Sequence, residues 1–182
     1  MIVEHNSAGK DTAALFAGVS VPEVGRVKGI FHLAAFEHYG VGRRKVTAKP
    51  IWEQQFFNLL ANAGAALVED LLIGAGGTVY SNANAYIGSG DSATAVSAAH
   101  TDLQAATNKL RKAMDATFPS RASQTLTFKS TFATGDANWQ WNEMAVFNAS
   151  SSGTMLCRSL VSSPFTKTSA LSIVATYTWV VS

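Results

Sequence analysis

The sequence predicts a mainly β chain: an antiparallel β-sandwich-like domain with one long helix and an extended N-terminal arm. Three observations carry that expectation. The last third holds four strand-like segments in succession: TLTFKSTF (125–132), WQWNEMAVFN (139–148), TMLCRSLV (154–161) and SALSIVATYTWVV (169–181). Loops TGDAN, ASSSG and SSPFTKT separate them. Residues 51–73 carry apolar side chains three or four apart, the spacing of one helical face. Residues 1–25 show no sustained period and are turn-rich, as an extended arm would be.

Within the closing strands, Leu126, Phe128 and Phe132 alternate. So do Leu171, Ile173, Ala175, Tyr177 and Trp179, set against Ser172, Thr176 and Thr178. A period of two sends one set inward and the other outward. SSSG offers a hairpin turn with Gly153 at the position needing positive φ.

Residues 26–39 partly alternate through Val27, Phe31 and Leu33, which predicts a strand with a slip near Ala34–Ala35. In 51–73, Trp52, Phe56, Leu59, Ala63, Leu67 and Leu71 fall on one helical face. Gly64 costs a helix about 1 kcal/mol against Ala. A later start near Asn62, with Asn62 as the cap, therefore stays open. Gly74 is the expected stop. Residues 83–88 read as a short strand ending at the turn GSGD, and 91–108 as a connection. Residues 109–117 fit a strand or a helical turn. The domain assignment is an arm over 1–25 and a single mainly β domain over 26–182, with the helix at about 51–73.

Composition narrows the function. Of 182 residues, 47% are hydrophobic and only 14% charged, against about 25% charged in ordinary soluble domains. Surface covered by copies of the chain or by partners explains so little charge; a Ser-, Thr-, Asn- and Ala-rich surface explains it equally. A net charge of +2 is too small to point to nucleic acid, which is not an expected partner. Residues 1–50 hold seven Lys/Arg against four Asp/Glu, a weak basic bias. The lone cysteine, Cys157, forms no intrachain disulfide and no multi-cysteine zinc site, and its apolar strand predicts a small buried side chain. The N-terminus lacks a signal-peptide layout, and the apolar run Ala63–Ile73 is too short to span a bilayer. No membrane is expected.

No catalytic constellation stands out. His32 and His38 share strand parity, but Glu37 falls on the opposite face, so a metal site lacks its third ligand. Serines abound without a nucleophile elbow. GAGG (74–77) and GSGD (88–91) match neither phosphate-loop spacing and read as turns. Asp91 and Asp136 in turns are expected to bond their own backbone. Catalytic, cofactor and metal residues are accordingly none. Two kinds of contact residue remain. Leu15 and Phe16 of the arm are apolar, and the arm is expected to pack on its own domain or on a neighbour. Arg43, Arg44, Lys45 and Lys49 form a basic cluster facing an acidic partner or simply solvent. Trp52, Trp139, Trp141 and Trp179 are core or interface aromatics.

One block carries a family resemblance. The run ANAYIGSGDSATA, then TDLQ, then FKSTFATGDANWQWNEMAVFNASSSGTMLCRSLV, then TKTSALSIVATYTW resembles a widespread family of tailed-bacteriophage virion proteins. Members typically show a G-x-G strand end, a T-x-L segment and a block F-G-x-G-x-A-N-x-x-W-N-E-x-G-[IVL]-F-N-A-x-x-G-G-T-[ML]. A TKT segment and an alternating last strand follow. NLLANAG (58–64) is similar to the family's N-L-V-x-N-x-G opening. The likeness spans roughly 51–181. It departs at Met144–Ala145, where a glycine commonly follows, and at Ser152, where a second glycine is common. It implies a non-enzymatic structural part of the virion, assembled in the host cytoplasm without a cofactor.

The low charge, the apolar arm and the absence of a long fibre segment favour a capsid decoration, or cement, protein. Such a protein binds the shell as repeated copies. Its partners would be itself, as a homo-oligomer such as a trimer, and other virion proteins such as the major capsid protein. The arm and the Arg43–Lys49 loop would lie across neighbouring subunits. A tail-fibre, collar or baseplate adaptor is the alternative, and a host-glycan-binding module using exposed tryptophans is the second.

Overall fold

A computed structural model of the chain describes residues 27–38 and 49–181. The 1–25 arm and most of the basic loop, Arg43, Arg44 and Lys45 included, lie outside them. The fold is mainly β, with two antiparallel sheets and one helix, as the sequence predicts. Its elements are β1 (Val27–Glu37), β2 (Trp52–Phe57), β3 (Leu59–Leu60), α1 (Asn62–Ile73), β4 (Tyr86–Gly90), β5 (Lys109–Ala113), β6 (Ser120–Ala122), β7 (Thr125–Phe132), β8 (Gln140–Phe147), β9 (Met155–Thr166) and β10 (Leu171–Val181).

The first sheet runs β2-β1-β10-β7-β6 and the second β3-β9-β8-β4-β5. Phe31 and Leu33 of β1, Phe128 and Phe132 of β7, and Ile173 and Tyr177 of β10 meet Trp141, Met144 and Val146 of β8 and Cys157 of β9 in one core. Period-two alternation supplies these inward positions on β1, β7 and β10; in β8 an irregularity of register between Trp141 and Glu143 brings Trp141 and Met144, three apart, to the same core. Phe132 meets the Trp141 ring edge-on at 4.7 Å across the sheets.

The sequence reading is corrected at four places. Residues 52–57 are strand, not helix. β2 pairs with β1 from Ala35↔Trp52 to Ile30↔Phe57. Trp52 and Phe56 are four apart, a spacing that serves a strand face as well as a helical one. The helix is therefore the 12-residue Asn62–Ile73. Its cap position is Ala61, with no side-chain cap, and the Asn62 N–H donates instead to Ala98 O at 2.8 Å. β1 has no slip: its register with β10 is unbroken from Val27↔Val181 to Glu37↔Leu171. Small Ala34, 5% exposed, blurs the pattern there without an inserted residue. GSG is not a turn but the end of β4, paired on both sides. A Cβ on Gly88 would sit 2.9 Å from the Phe147 ring, so glycine makes room for that ring. SSPFT, finally, continues β9 instead of forming a loop.

Several other expectations hold. Gly74 ends α1 with φ 73°, and Gly153 turns the β8–β9 hairpin with φ 67°. Cys157 is fully buried, and burial pushes its thiol up to about 12. Residues 109–113, which fit a strand or a helical turn equally in the sequence, form a strand. The helix rests on β9, where Gly64 comes so close that a Cβ would lie 2.6 Å from Leu156 Cα.

Candidate functional site

The block that carries the resemblance forms β8, its preceding turn and the hairpin into β9. Six side chains in it, those of Asp136, Asn138, Trp141, Asn142, Glu143 and Asn148, hold backbone segments, while Trp139 Nε1 is buried without a partner. Trp141 Nε1 donates to Ala137 O at 2.9 Å, closing the turn before β8. Asn142 Nδ2 donates to Asp91 O at 2.6 Å. Asn148 Nδ2 donates to Thr78 O at 2.8 Å, and its Oδ1 accepts from Thr154 N at 2.6 Å. Asn138 Oδ1 accepts from Lys167 Nζ at 2.7 Å, so the lysine of TKT closes on the same turn.

Glu143 and Arg158 form the centre of this bracing. Neither is more than 1% exposed. Glu143 Oε2 accepts from Arg158 Nε at 2.6 Å and from Gln104 N at 3.0 Å, while Oε1 accepts from Ala105 N at 2.8 Å. Arg158 Nη2 donates to Thr94 O at 2.9 Å. The connection 91–108, which has no strand or helix of its own, is thus fastened to the outside of the second sheet. Leu103 fills a small apolar cluster there with Ala145, Phe147 and Met155. A buried charge pair is tolerated only when its remaining hydrogen-bonding capacity is satisfied, and these backbone partners satisfy it. Two charges inside the apolar runs WNEMAVF and MLCRSLV were the visible signal; their loop partners had none.

Lys109, Arg111 and Lys112 are not a free basic patch. Lys109 and Arg111 both reach Asp102, at 2.9 and 2.8 Å, and Lys112 reaches Asp136 at 2.6 Å. Arg111 also donates to Ala149 O at 3.0 Å and Ser152 O at 2.6 Å, and lies 3.5 Å over the Phe147 ring. It ties the 149–152 hairpin to the rest. Hydrogen bonds from Lys112 hold the Asp136 carboxyl below its ordinary value. Burial pushes Asp102 up, but the bonds from Arg111 and Lys109 outweigh it and the net shift is downward.

A carboxyl depressed on folding contributes stability that is present above its unfolded pKa of about 3.9 and is lost as pH falls through the folded value. Urea midpoints should therefore begin to fall as pH drops below about 4. Asp102→Asn should be less stable at pH 7 and show a shallower acid decline. An acid decline of unchanged steepness in that variant would rule out this linkage.

The tryptophans divide. Trp141 is fully buried. Trp52, half-buried, stacks on Phe165 with centroids 4.5 Å apart. Trp139 and Trp179 are half-buried against the core. Trp52, Trp139 and Trp179 each keep part of their surface exposed. Lys49 is exposed; Arg43, Arg44, Lys45, Leu15 and Phe16 fall outside the described residues.

His32 lies 3.7 Å from Glu53, and His38 Nε2 is 2.7 Å from Ser172 Oγ, so the two histidines have separate neighbours. Among the described residues, no three His, Cys, Asp or Glu side chains gather as metal ligands.

No protein-family model, no curated protein and no solved structure matches the chain.

Proposed function

We propose that this chain is a non-enzymatic structural protein of a tailed-phage virion, carried on the shell as a decoration protein in repeated copies. One observation supports the reading above others: four polar side chains at the centre of the resembling block are engaged in architecture. Trp141, Asn142, Glu143 and Asn148 each hold backbone that would otherwise be loose. Such a block makes a stiff frame, which a shell component needs, and leaves no free nucleophile or base along β8. Half-buried aromatics, the exposed Ile51 just before β2, and the exposed Phe57 and Leu59 at the β2–β3 corner supply apolar surface for contacts with copies or with shell subunits. Several small interfaces of this kind reinforce one another on a lattice.

The test is copy number in purified particles by quantitative mass spectrometry. Hundreds of copies per particle support decoration of the shell. A dozen or so sinks decoration and moves the protein to the tail. Absence from particles sinks the virion reading altogether.

A further inference from the structure

A cleft of about 490 Å3 opens between the second half of α1 and the end of the first sheet. Val68 and Leu72 of α1 form one wall; Leu126, Trp179 and Val181 of β7 and β10 form the other. Leu72 and its neighbour Ile73 are each 80% exposed. An opening of this size suits a drug-sized apolar group, and uncovered apolar surface of this kind commonly marks a contact site.

The sheet register says which chain segment arrives there. Val27 pairs with Val181, and Val181 is part of the cleft wall. β1 therefore begins at the rim of the cleft, with 26 residues preceding it in the sequence. Within them, TAALFAGVSVP (residues 12–22) is uncharged and carries Leu15, Phe16, Val19 and Val21. Val21 is six residues and Phe16 eleven residues from Val27, which gives reaches of up to about 20 and 36 Å at roughly 3.3 Å per residue. Both suffice to fold back over a cleft whose edge starts at the paired residue. A tethered segment acts at an effective concentration in the millimolar range, which favours the chain's own segment over that of a second copy.

We propose that residues 12–21 dock in the cleft of the same chain, with Leu15 and Phe16 seated between α1 and β10. The segment is then a cis competitor that any other ligand of the cleft has to displace. This inference does not rest on the virion reading, and it is tested on the isolated chain.

A fluorescein-labelled peptide of residues 10–24 is titrated, by anisotropy, with the full-length protein and with its Leu15→Ser/Phe16→Ser variant. The variant's cleft is vacated, so it should bind the peptide at least about tenfold more tightly than the unaltered chain, a step of about 1.4 kcal/mol. Adding Leu72→Asp, at an exposed position, should reverse that gain. Phe16→Ala replaces the double variant if the latter loses its far-UV β signal.

Equal binding to both proteins, or none to the variant, overturns the proposal. So does an unaltered chain that excludes the peptide only at concentrations where sedimentation shows a dimer, since the occupant is then a second copy.

Discussion

Glu143→Ala should lower unfolding stability by about 3–5 kcal/mol, the usual consequence of stranding one member of a buried ion pair. In a chain of this length that is a fall in Tm of roughly 2–4 °C per kcal/mol. The cause is local. Arg158 is left at 1% exposure with its charge unmatched, and Gln104 and Ala105 lose the carboxylate that accepts their N–H groups. Amide exchange at those two positions should quicken more than at Val146 in the core. Glu143→Leu with Arg158→Met should recover part of the loss, because an apolar pair carries no stranded charge. A loss below about 1 kcal/mol in the single variant would place the pair in water and contradict its burial.

Gly64→Ala should also destabilise, by about 1–3 kcal/mol, the range for overpacking a close contact. The sign is the point. In a solvent-facing helix the same change gains about 1 kcal/mol. Here the added methyl meets β9 backbone, Leu156 Cα at 2.6 Å and its carbonyl oxygen closer still, and backbone does not swing aside as a side chain would. The helix has to lift from β9, loosening Leu67 and the cleft wall at Val68. Chemical denaturation would decide it: a midpoint equal to or above that of the unaltered chain means α1 is not seated on β9.

The closing strands were legible because one face of each is buried and the other is not. Leu171, Ile173, Ala175 and Tyr177 mark β10 by alternation alone. β2 was misread for a physical reason. Trp52 and Phe56 satisfy both periods, and only the neighbouring strand β1, which no local pattern reveals, decides between them. Gly88 and Gly90 looked like a turn because glycine usually is one. In β4 they are small to admit the Phe147 ring and the Glu143 carboxylate, causes 59 and 53 residues away in the chain and read only from the fold. Glu143 and Arg158 announced themselves as charges in apolar strands. What they hold, the backbone of 94–105, has no signature, since carbonyl and N–H groups are the same in every residue. The cleft was equally invisible, being lined by five elements, α1, β6, β7, β9 and β10, that are spread over the sequence from Val68 to Val181.

The pairing of Val27 with Val181 has a mechanical meaning. The two ends of the sandwich emerge side by side from neighbouring antiparallel strands. Tension between them peels the β1–β10 ladder one hydrogen bond at a time, the weak direction of a sheet. Tension between Val27 and the far end of β10 at Leu171 instead loads many of the same bonds together. A chain tugged by both its ends should give way at low force, and one tugged from Val27 and Leu171 should resist. Single-molecule pulling with handles at the two pairs of positions measures the difference, and equal rupture forces would show that β1–β10 does not bear the load.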